Sequence, residues 1–366
     1  MEKNKIIILC IGILIVVGVG IHLLTSPNSI QTGTNENITD MLNRTVQIPS
    51  TVNKVAATSP PMTTMIYMIA PEKLTGVNFL WTDEELEYIP NEYKNLPVIG
   101  GWFGKQDGNY EQFIASEPDI IIEATDKGMG VDKSTIEERQ QKFGLIPVVA
   151  VEDSTNVSEI SKSIEFMGKI LNAEEKSNKL IDFNNKYLNM VKKVDATIDS
   201  NNRKTVYYAE GVDGLQTDPS GSSHSQLIDL CGGINVADTI SGNSTGTIQV
   251  SIEQVIAWNP DVIITTEPTF YDKVYSDPNW ANIDAVKNKE VYLSPTSPFK
   301  WFDRPPGANI IIGVPWTAKV IYPDEYKDLD LKEAVKEFYG EFYHVKLSDA
   351  EVEKILLKSG IKKENL

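Results

Sequence analysis

Apolar residues in this chain fall into two patterns that alternate: short continuous runs, and stripes spaced three and four residues apart. The longest run comes first. Ile6–Leu24 spans 19 positions in which only His22 is strongly polar, with Lys3 and Lys5 ahead of it. Coiled as a helix it reaches roughly 28 Å, about the hydrocarbon thickness of a bilayer. The leading lysines favour a cytoplasmic N-terminus and an exported body. The run predicts a transmembrane anchor over residues 1–24. A cleaved signal peptide is the alternative, but no small-x-small site follows Leu24. Only Ile6–Leu9 precede Cys10, too short an apolar stretch for an export signal, so Cys10 reads as buried in the span. Residues 25–39 carry no periodicity and predict a polar linker.

Beyond the linker, runs suited to buried strands alternate with amphipathic stretches. Val55–Thr58 predicts a strand closed by the turn Ser59-Pro60-Pro61. Met62, Met65 and Met68 follow at helical spacing and are expected in the core. Gly76–Asn78, Asp119–Ala124 and Ile146–Val151 predict further strands, and Ser134–Phe143 a helix. Leu180, Phe183, Tyr187, Val191, Val194 and Ile198 then mark one long helix over 172–198, roughly 40 Å in length, with Asn172 and Glu175 placed as a capping box. The alternation resumes with strand Thr205–Ala209, helix Gln226–Leu230 stopped by Gly232-Gly233, and strand Glu290–Leu293. Amphipathic helices at Leu331–Tyr343 and Asp349–Lys358 close the chain, the last with a capping box at Ser348 and Glu351. Such alternation predicts an α/β protein with parallel sheets covered on both faces. The expected organisation is an N-terminal lobe over 40–170, a connecting helix over 171–200 and a C-terminal lobe over 201–366.

One segment occurs twice. Glu111-Gln112-Phe113-Ile114-Ala115-Ser116-Glu117-Pro118-Asp119-Ile120-Ile121-Ile122 returns 142 positions later as Glu253-Gln254-Val255-Ile256-Ala257-Trp258-Asn259-Pro260-Asp261-Val262-Ile263-Ile264, identical at eight of twelve positions. Each copy reads as a short helix stopped by proline, then a buried strand. The chain is therefore expected to be built twice, with a glutamate at the start of a helix in each lobe.

Charge and composition narrow the functional classes. A net charge of −17 excludes nucleic acid as a partner. Lys and Arg total 34, of which only Arg44, Arg139, Arg203 and Arg304 are arginine. Two cysteines and three histidines support neither a disulfide framework nor a multi-histidine metal centre. Gly100-Gly101-Trp102-Phe103-Gly104-Lys105 has the wrong spacing for a phosphate loop, and Gln106 stands where Ser or Thr is needed. With no nucleophile elbow or zinc motif either, the chain is not expected to be an enzyme. Sequons at Asn37, Asn43, Asn156 and Asn243 permit glycosylation where the host performs it.

Taken in order, these segments resemble the class III periplasmic substrate-binding proteins of ABC importers. The likeness is carried by Asp40–Pro49, the two EQ-x-IA-x-x-PD-x-II segments, Leu230–Val236 and Trp301-Phe302-Asp303-Arg304-Pro305-Pro306. It continues through Gly313, Trp316, Tyr322-Pro323 and Phe338–Tyr343. It implies two Rossmann-like lobes joined by a single long rigid helix, with modest lobe movement. It also implies that Glu111 and Glu253 dock the permease dimer, which works with its ATPase. The ligand would be a small-molecule metal chelate of ferric siderophore type, with cobalamin, haem or an oxyanion such as molybdate as alternatives, and no resident cofactor. A surface adhesion or sensory protein is the other class.

In open α/β sheets ligands bind beyond the carboxyl ends of the strands. That rule selects Ser59–Met62, Gly101-Trp102-Phe103 and Thr125–Lys127 in the first lobe, and Glu210–Asp213, Ser223-His224, Glu267–Tyr271 and Trp301–Arg304 in the second, with Trp102, Phe103, His224, Tyr271, Trp301, Phe302 and Arg304 as the candidates for ligand contact. Arg304 offers a planar charged fork for a carboxylate, catecholate or oxyanion. Trp301 and Phe302 are expected to supply an apolar wall; His224 is a further ligand-binding candidate, a loop histidine being more often the cap of the adjacent helix than a metal ligand.

Overall fold

The computed structural model describes residues 35–125, 131–152, 155–239 and 247–366. The run expected to anchor the chain, Cys10 within it, the strand-end pair Asp126-Lys127 and the sequon at Asn243 lie outside these residues. Among the described residues no helix is long and apolar enough to cross a membrane.

The two sets of apolar runs form two parallel sheets. Strands β1 (Asn35–Thr39) and β2 (Thr45–Pro49) form a two-stranded sheet at the start of the body. β3 (Val55–Ala57), β4 (Ile120–Thr125) and β5 (Val148–Glu152) then pair in parallel in the order β3-β4-β5. In the second half β6 (Thr205–Ala209), β8 (Ile234–Asn235), β10 (Val262–Thr265) and β11 (Val291–Leu293) form a parallel sheet ordered β11-β10-β6-β8. β7 (Gln216–Thr217) and β9 (Ile248–Gln249) pair antiparallel beside it. The helices, in chain order, are α1 (Pro60–Ile69), α2 (Asp83–Leu86), α3 (Tyr110–Ala115), α4 (Lys133–Phe143), α5 (Ser161–Ile170) and α6 (Glu174–Asp195). They continue with α7 (Gln226–Leu230), α8 (Ile252–Trp258), α9 (Pro268–Val274), α10 (Asp284–Lys287), α11 (Gly313–Ile321), α12 (Leu331–Phe342) and α13 (Asp349–Lys358).

Continuous apolar strands arise because both faces of each sheet are covered. Val55, Ala57, Ile120 and Ile122 turn to the main core, whereas Ala56 and Ile121 turn to a smaller cluster with Phe113, Ile136 and Phe143. The second sheet repeats this period of two. Val206, Tyr208, Val262 and Ile264 face the main core; Tyr207 and Ile263 face a cluster with Phe270 and Trp280. The main core is shared. Met62, Met65 and Met68 of α1, Phe183 and Tyr187 of α6, Trp316 of α11 and Phe338 of α12 belong to it together with the inner faces of both sheets. The methionines are fully buried.

The repeat is realised in three dimensions. Each copy supplies a short helix, α3 or α8, and the central strand of a sheet, β4 or β10. At corresponding turns Glu117 and Asn259 adopt left-handed φ values of 50° and 43°. The aspartate that follows also does the same work twice. Asp119 Oδ2 accepts from the Asn53 and Lys54 amides at 2.7 and 2.9 Å, and Asp261 Oδ2 from the Thr205 amide at 2.9 Å. Each carboxylate thereby ties the neighbouring strand to the central one.

Three expectations change. Residues 35–39, read as the end of the linker, form β1, because Asp40 clamps the turn that follows. Its carboxylate accepts from the Arg44 amide at 2.9 Å and from the Arg44 guanidinium at 2.6 Å, and Arg44 also donates to the Val148 carbonyl of β5. Gly76–Asn78 makes only an isolated parallel bridge, Val77 to Val98. The connecting helix is 22 residues long, roughly 33 Å, and begins at Glu174 without the predicted cap. Asn172 instead sits at φ 51° just beyond α5, a conformation asparagine tolerates at a helix end. The capping box at Ser348 and Glu351 forms as expected.

Candidate functional site

Parallel pairing of β6 with β10 brings Ala209 level with Thr265, so Glu210 and Thr266 emerge side by side at the carboxyl edge of the second sheet. The loop after β11 returns over this edge carrying Asp303 and Arg304. Arg304 holds a left-handed φ of 49°, which a non-glycine residue keeps only when its surroundings secure it. The surroundings do so through the guanidinium. Nε donates to Glu210 Oε1 at 2.6 Å, and Nη2 to Asp218 Oδ2 at 2.7 Å and Thr247 Oγ1 at 2.6 Å. Asp303 Oδ2 lies 3.4 Å from Nε.

Asp303 joins Arg304 to His224. Its Oδ1 lies 2.6 Å from His224 Nδ1, and its Oδ2 accepts from the Tyr208 hydroxyl at 3.0 Å. Asp218 Oδ1 accepts from Ser222 Oγ at 3.1 Å. Three carboxylates thus meet one guanidinium and one imidazole. Asp218 and Asp303 are fully enclosed and Glu210 is 4% exposed, while the Arg304 side chain keeps 36% of its surface open. Burial pushes the Glu210 carboxyl up to about 7, against the lowering influence of Arg304 and with the help of Asp218. Burial would lower the His224 imidazole, but its hydrogen bond to Asp303 and that residue's charge outweigh it and raise it above the ordinary value. Donor atoms of Asp218, His224 and Asp303 all lie within 4.8 Å of one another, a spacing compatible with a metal ion.

The facing loops come from the first sheet. Asn78 holds them: its amide donates to the Ala57 and Gly100 carbonyls at 3.0 and 2.7 Å and its oxygen accepts from Thr63 at 2.6 Å. Gly101 lies so close to the Thr58 carbonyl that a Cβ there would come within 2.2 Å of it. Phe79 and Leu80 beyond Asn78 are 41% and 78% exposed, and Phe103 meets the edge of the Phe79 ring at 6.4 Å. The two sets of loops touch where a Cβ on Gly307 would lie 3.3 Å from Pro61 Cβ. Arg304 stands three residues before Gly307, and Thr58 three residues before Pro61.

The candidates named from sequence therefore separate. Arg304 and His224 are brought together, and Phe103 lies on the facing edge. Trp301 and Phe302 are no cleft wall. Both are enclosed in the main core, Trp301 against Tyr339 and Phe302 against Tyr208, because the loop must sink two rings to hold Arg304 above. The Arg304 fork, expected to be free for an anion, is occupied by carboxylates. Trp102 is half-buried and committed to its own loop, its ring tilted 50° against Tyr110 at 4.7 Å with the Arg139 guanidinium 4.5 Å over its ring. Tyr271 on α9 lines a separate recess with Tyr275, Lys287, Lys289 and Gly360, its hydroxyl turned to the C-terminal tail at Gly360.

Sequence reasoning missed Asp218, Tyr208, Phe79 and Leu80 as site residues. Glu210 was signalled only by its position just after an apolar strand. Glu111 and Glu253 occupy the second position of α3 and α8, exposed, below the N-caps Asn109 and Ser251. Local hydrogen bonding, first with its own backbone amide and then with Ser251, lowers the Glu253 carboxyl below its ordinary range.

Comparison with known proteins agrees with this construction. Residues 55–298 match the Periplasmic binding protein family. The molybdate-binding protein MolA of Haemophilus influenzae is 27% identical over 325 residues, 84% of this chain and 90% of its own length. The ABC transporter substrate-binding lipoprotein YvrC of Bacillus subtilis is 27% identical over 294 residues, 80% of this chain and 87% of its own. An ABC transporter solute-binding protein of Sulfurospirillum deleyianum, of known structure, superposes with a TM-score of 0.79 at 33% identity, covering 87% of this chain and 98% of that one. These relatives are named as binding proteins, not as enzymes. The chain belongs to the class III periplasmic binding proteins that serve ABC transporters.

Proposed function

We propose that this extracytoplasmic substrate-binding component of an ABC importer captures a metal chelate of the ferric siderophore type and delivers it to its permease. The reading is supported by a charged cluster beyond the second sheet and exposed apolar side chains beyond the first, on two sets of loops that meet at Pro61 and Gly307. The cluster, His224, Asp303, Arg304, Glu210 and Asp218, would form a floor, and the apolar side chains, Phe79, Leu80 and Phe103, a rim. A chelate with a polar metal-bearing core and an apolar ligand shell needs both surfaces. His224 is set for such a core, because Asp303 engages Nδ1 and orients the ring as a carboxylate orients a metal-binding histidine.

Delivery rests on Glu111 and Glu253. Each is an exposed carboxylate on the first turn of a repeat-derived helix, suited to pairing with arginine on a partner. The apolar run 6–24 is the proposed membrane anchor.

Molybdate is the second reading, favoured by the similarity to MolA. Calorimetric titration of the full chain with a ferric chelate, a corrinoid, haem and molybdate tests the reading. Saturable binding of the chelate supports it, and saturation by molybdate alone replaces it.

A further inference from the structure

In the two helices of the repeat the outer face is identical and the inner face is not. On α3 the exposed positions are Glu111, Gln112, Ile114 and Ala115, and on α8 the same four residue types are exposed in the same order. Steps of three and four residues place them side by side on the surface of each helix. The buried position between them differs: Phe113 belongs to the cluster of Ile136 and Phe143, whereas Val255 belongs to that of Tyr207 and Trp280. Just past each helix an exposed pair of positions also differs, and each residue there has a local partner. Glu117 meets Lys54 at 3.2 Å, and Asn259 donates to Asp284 at 2.7 Å. Within the helices, likeness therefore follows the outward face and not the packing beneath it, as it does where both copies meet the same partner.

Ile114 and Ile256 are the informative pair, 43% and 42% exposed. A single surface isoleucine is ordinary. Yet a β-branched side chain is a poor choice for a solvent-facing helix position, and one stands at the corresponding place in both lobes, three residues beyond the glutamate. A partner that offers one surface twice, a dimer with two-fold symmetry, accounts for the match. We propose that Ile114 and Ile256 are apolar anchors for the permease dimer, each entering an apolar socket beside the basic group that pairs with Glu111 or Glu253. The carboxylates steer and orient the encounter, and the isoleucines, once covered, slow release. This assignment rests on the delivery reading above and adds to it what holds the complex together.

The test uses the full chain and the cognate permease dimer with its ATPase, both in detergent, with association and release followed in real time. Ile114→Ser with Ile256→Ser should weaken capture about tenfold or more, mainly through faster release and with the melting temperature unaltered. If serine lowers the melting temperature, threonine at both positions keeps the branched shape and decides. The loss should be the same at low and high salt, whereas the loss from Glu111→Ala with Glu253→Ala should shrink as salt rises. Each isoleucine changed alone should cost the same, because the two sockets are alike. Leu145→Ser, at an exposed leucine outside the repeat, should leave capture unaltered. Undiminished capture of the isoleucine pair, with capture of the glutamate pair lost, overturns the anchors and leaves the delivery reading standing. A loss confined to one isoleucine overturns the two-fold match. Undiminished capture of both pairs counts against delivery through these helices as well.

Discussion

Arg304 Nε and Glu210 Oε1 lie 2.6 Å apart although 94 residues separate them in the chain. The contact joins the loop after β11 to the end of β6, and with Asp218 it converts three remote sequence positions into one rigid floor. The arginine that stands out in the sequence is therefore the organiser of an acidic site.

That role makes Arg304 a stability residue. Arg304→Ala leaves Glu210 and Asp218 buried without their counter-charge, and removal of one member of a buried ion pair costs about 3–5 kcal/mol. Because the Arg304 side chain is partly open to solvent, a loss near the lower end of that range is expected, read as a reduced urea midpoint at pH 8. An unchanged midpoint would show that water replaces the guanidinium without penalty.

Glu210 links stability to pH. Its carboxyl titrates at about 7 when folded, above the ordinary 4.5, so the folded state holds this proton more tightly than the unfolded chain. Stability from this group therefore falls as pH rises from about 4.5 to about 7 and levels off above. His224 acts with the same sign: its raised pKa contributes stability that is fully present below the ordinary 6.5 and lost as pH rises through the folded value. The melting temperature of Glu210→Gln relative to the unaltered protein should climb between pH 5 and pH 8. A flat difference would place the Glu210 titration elsewhere.

Core and rim aromatics should separate cleanly. Trp301 is fully enclosed, so Trp301→Ala should cost about 3–5 kcal/mol of stability. Phe103 is half-buried at the edge of the cleft, so Phe103→Ala should leave thermal stability nearly intact while weakening chelate binding several-fold. Calorimetry of both variants checks the division; equal loss of stability would place Phe103 in the packing instead.

Delivery through Glu111 and Glu253 is the proposed reading. Glu111→Ala with Glu253→Ala is expected to weaken capture by the cognate permease in detergent at least tenfold, about 1.4 kcal/mol, with cargo affinity unchanged. Complex formation at unaltered strength would remove both glutamates from the interface.

Attachment to the membrane is tested at Cys10. If residues 6–24 form the anchor, Cys10→Ser should leave the protein in the membrane fraction after a carbonate wash. Release by that single change would instead make the protein lipid-anchored through Cys10, as the lipoprotein name of its relative YvrC indicates for that protein.

Much of the scaffold was legible because it depends on local pattern. Runs such as Ile120–Ile122 and Val262–Ile264 announce strands covered on both faces, and the pattern of α6 carries its own period. The capping box at Ser348 is visible in four residues. Where a contact at long range decided the outcome, the pattern misled. Asn172 reads as a cap but takes a left-handed turn beyond α5. Residues 35–39 look like linker until Asp40 and Arg44 clasp them onto β5.

The candidate site divides along the same line. Its location beyond the strand ends, and the prominence of Arg304 and His224, follow from the order of strands and helices. Nothing local marks Asp218 as a partner of Arg304, since a solitary aspartate after two strand residues looks like an ordinary turn. Nor does any local signal separate Trp301 and Phe302, buried beneath the loop, from Phe79 and Leu80, exposed beside it, because an aromatic residue suits either place.

The sequence alone determined the doubled α/β architecture and the residue types available at the strand ends, because hydrophobic period and chain order suffice for these, and the likeness of its ordered segments to a known family carried the assignment to that family. Tertiary structure decided which charges meet. It set the Arg304 fork onto Glu210 and Asp218, because the balance of charge at a buried cluster depends on distances between residues that the chain keeps far apart.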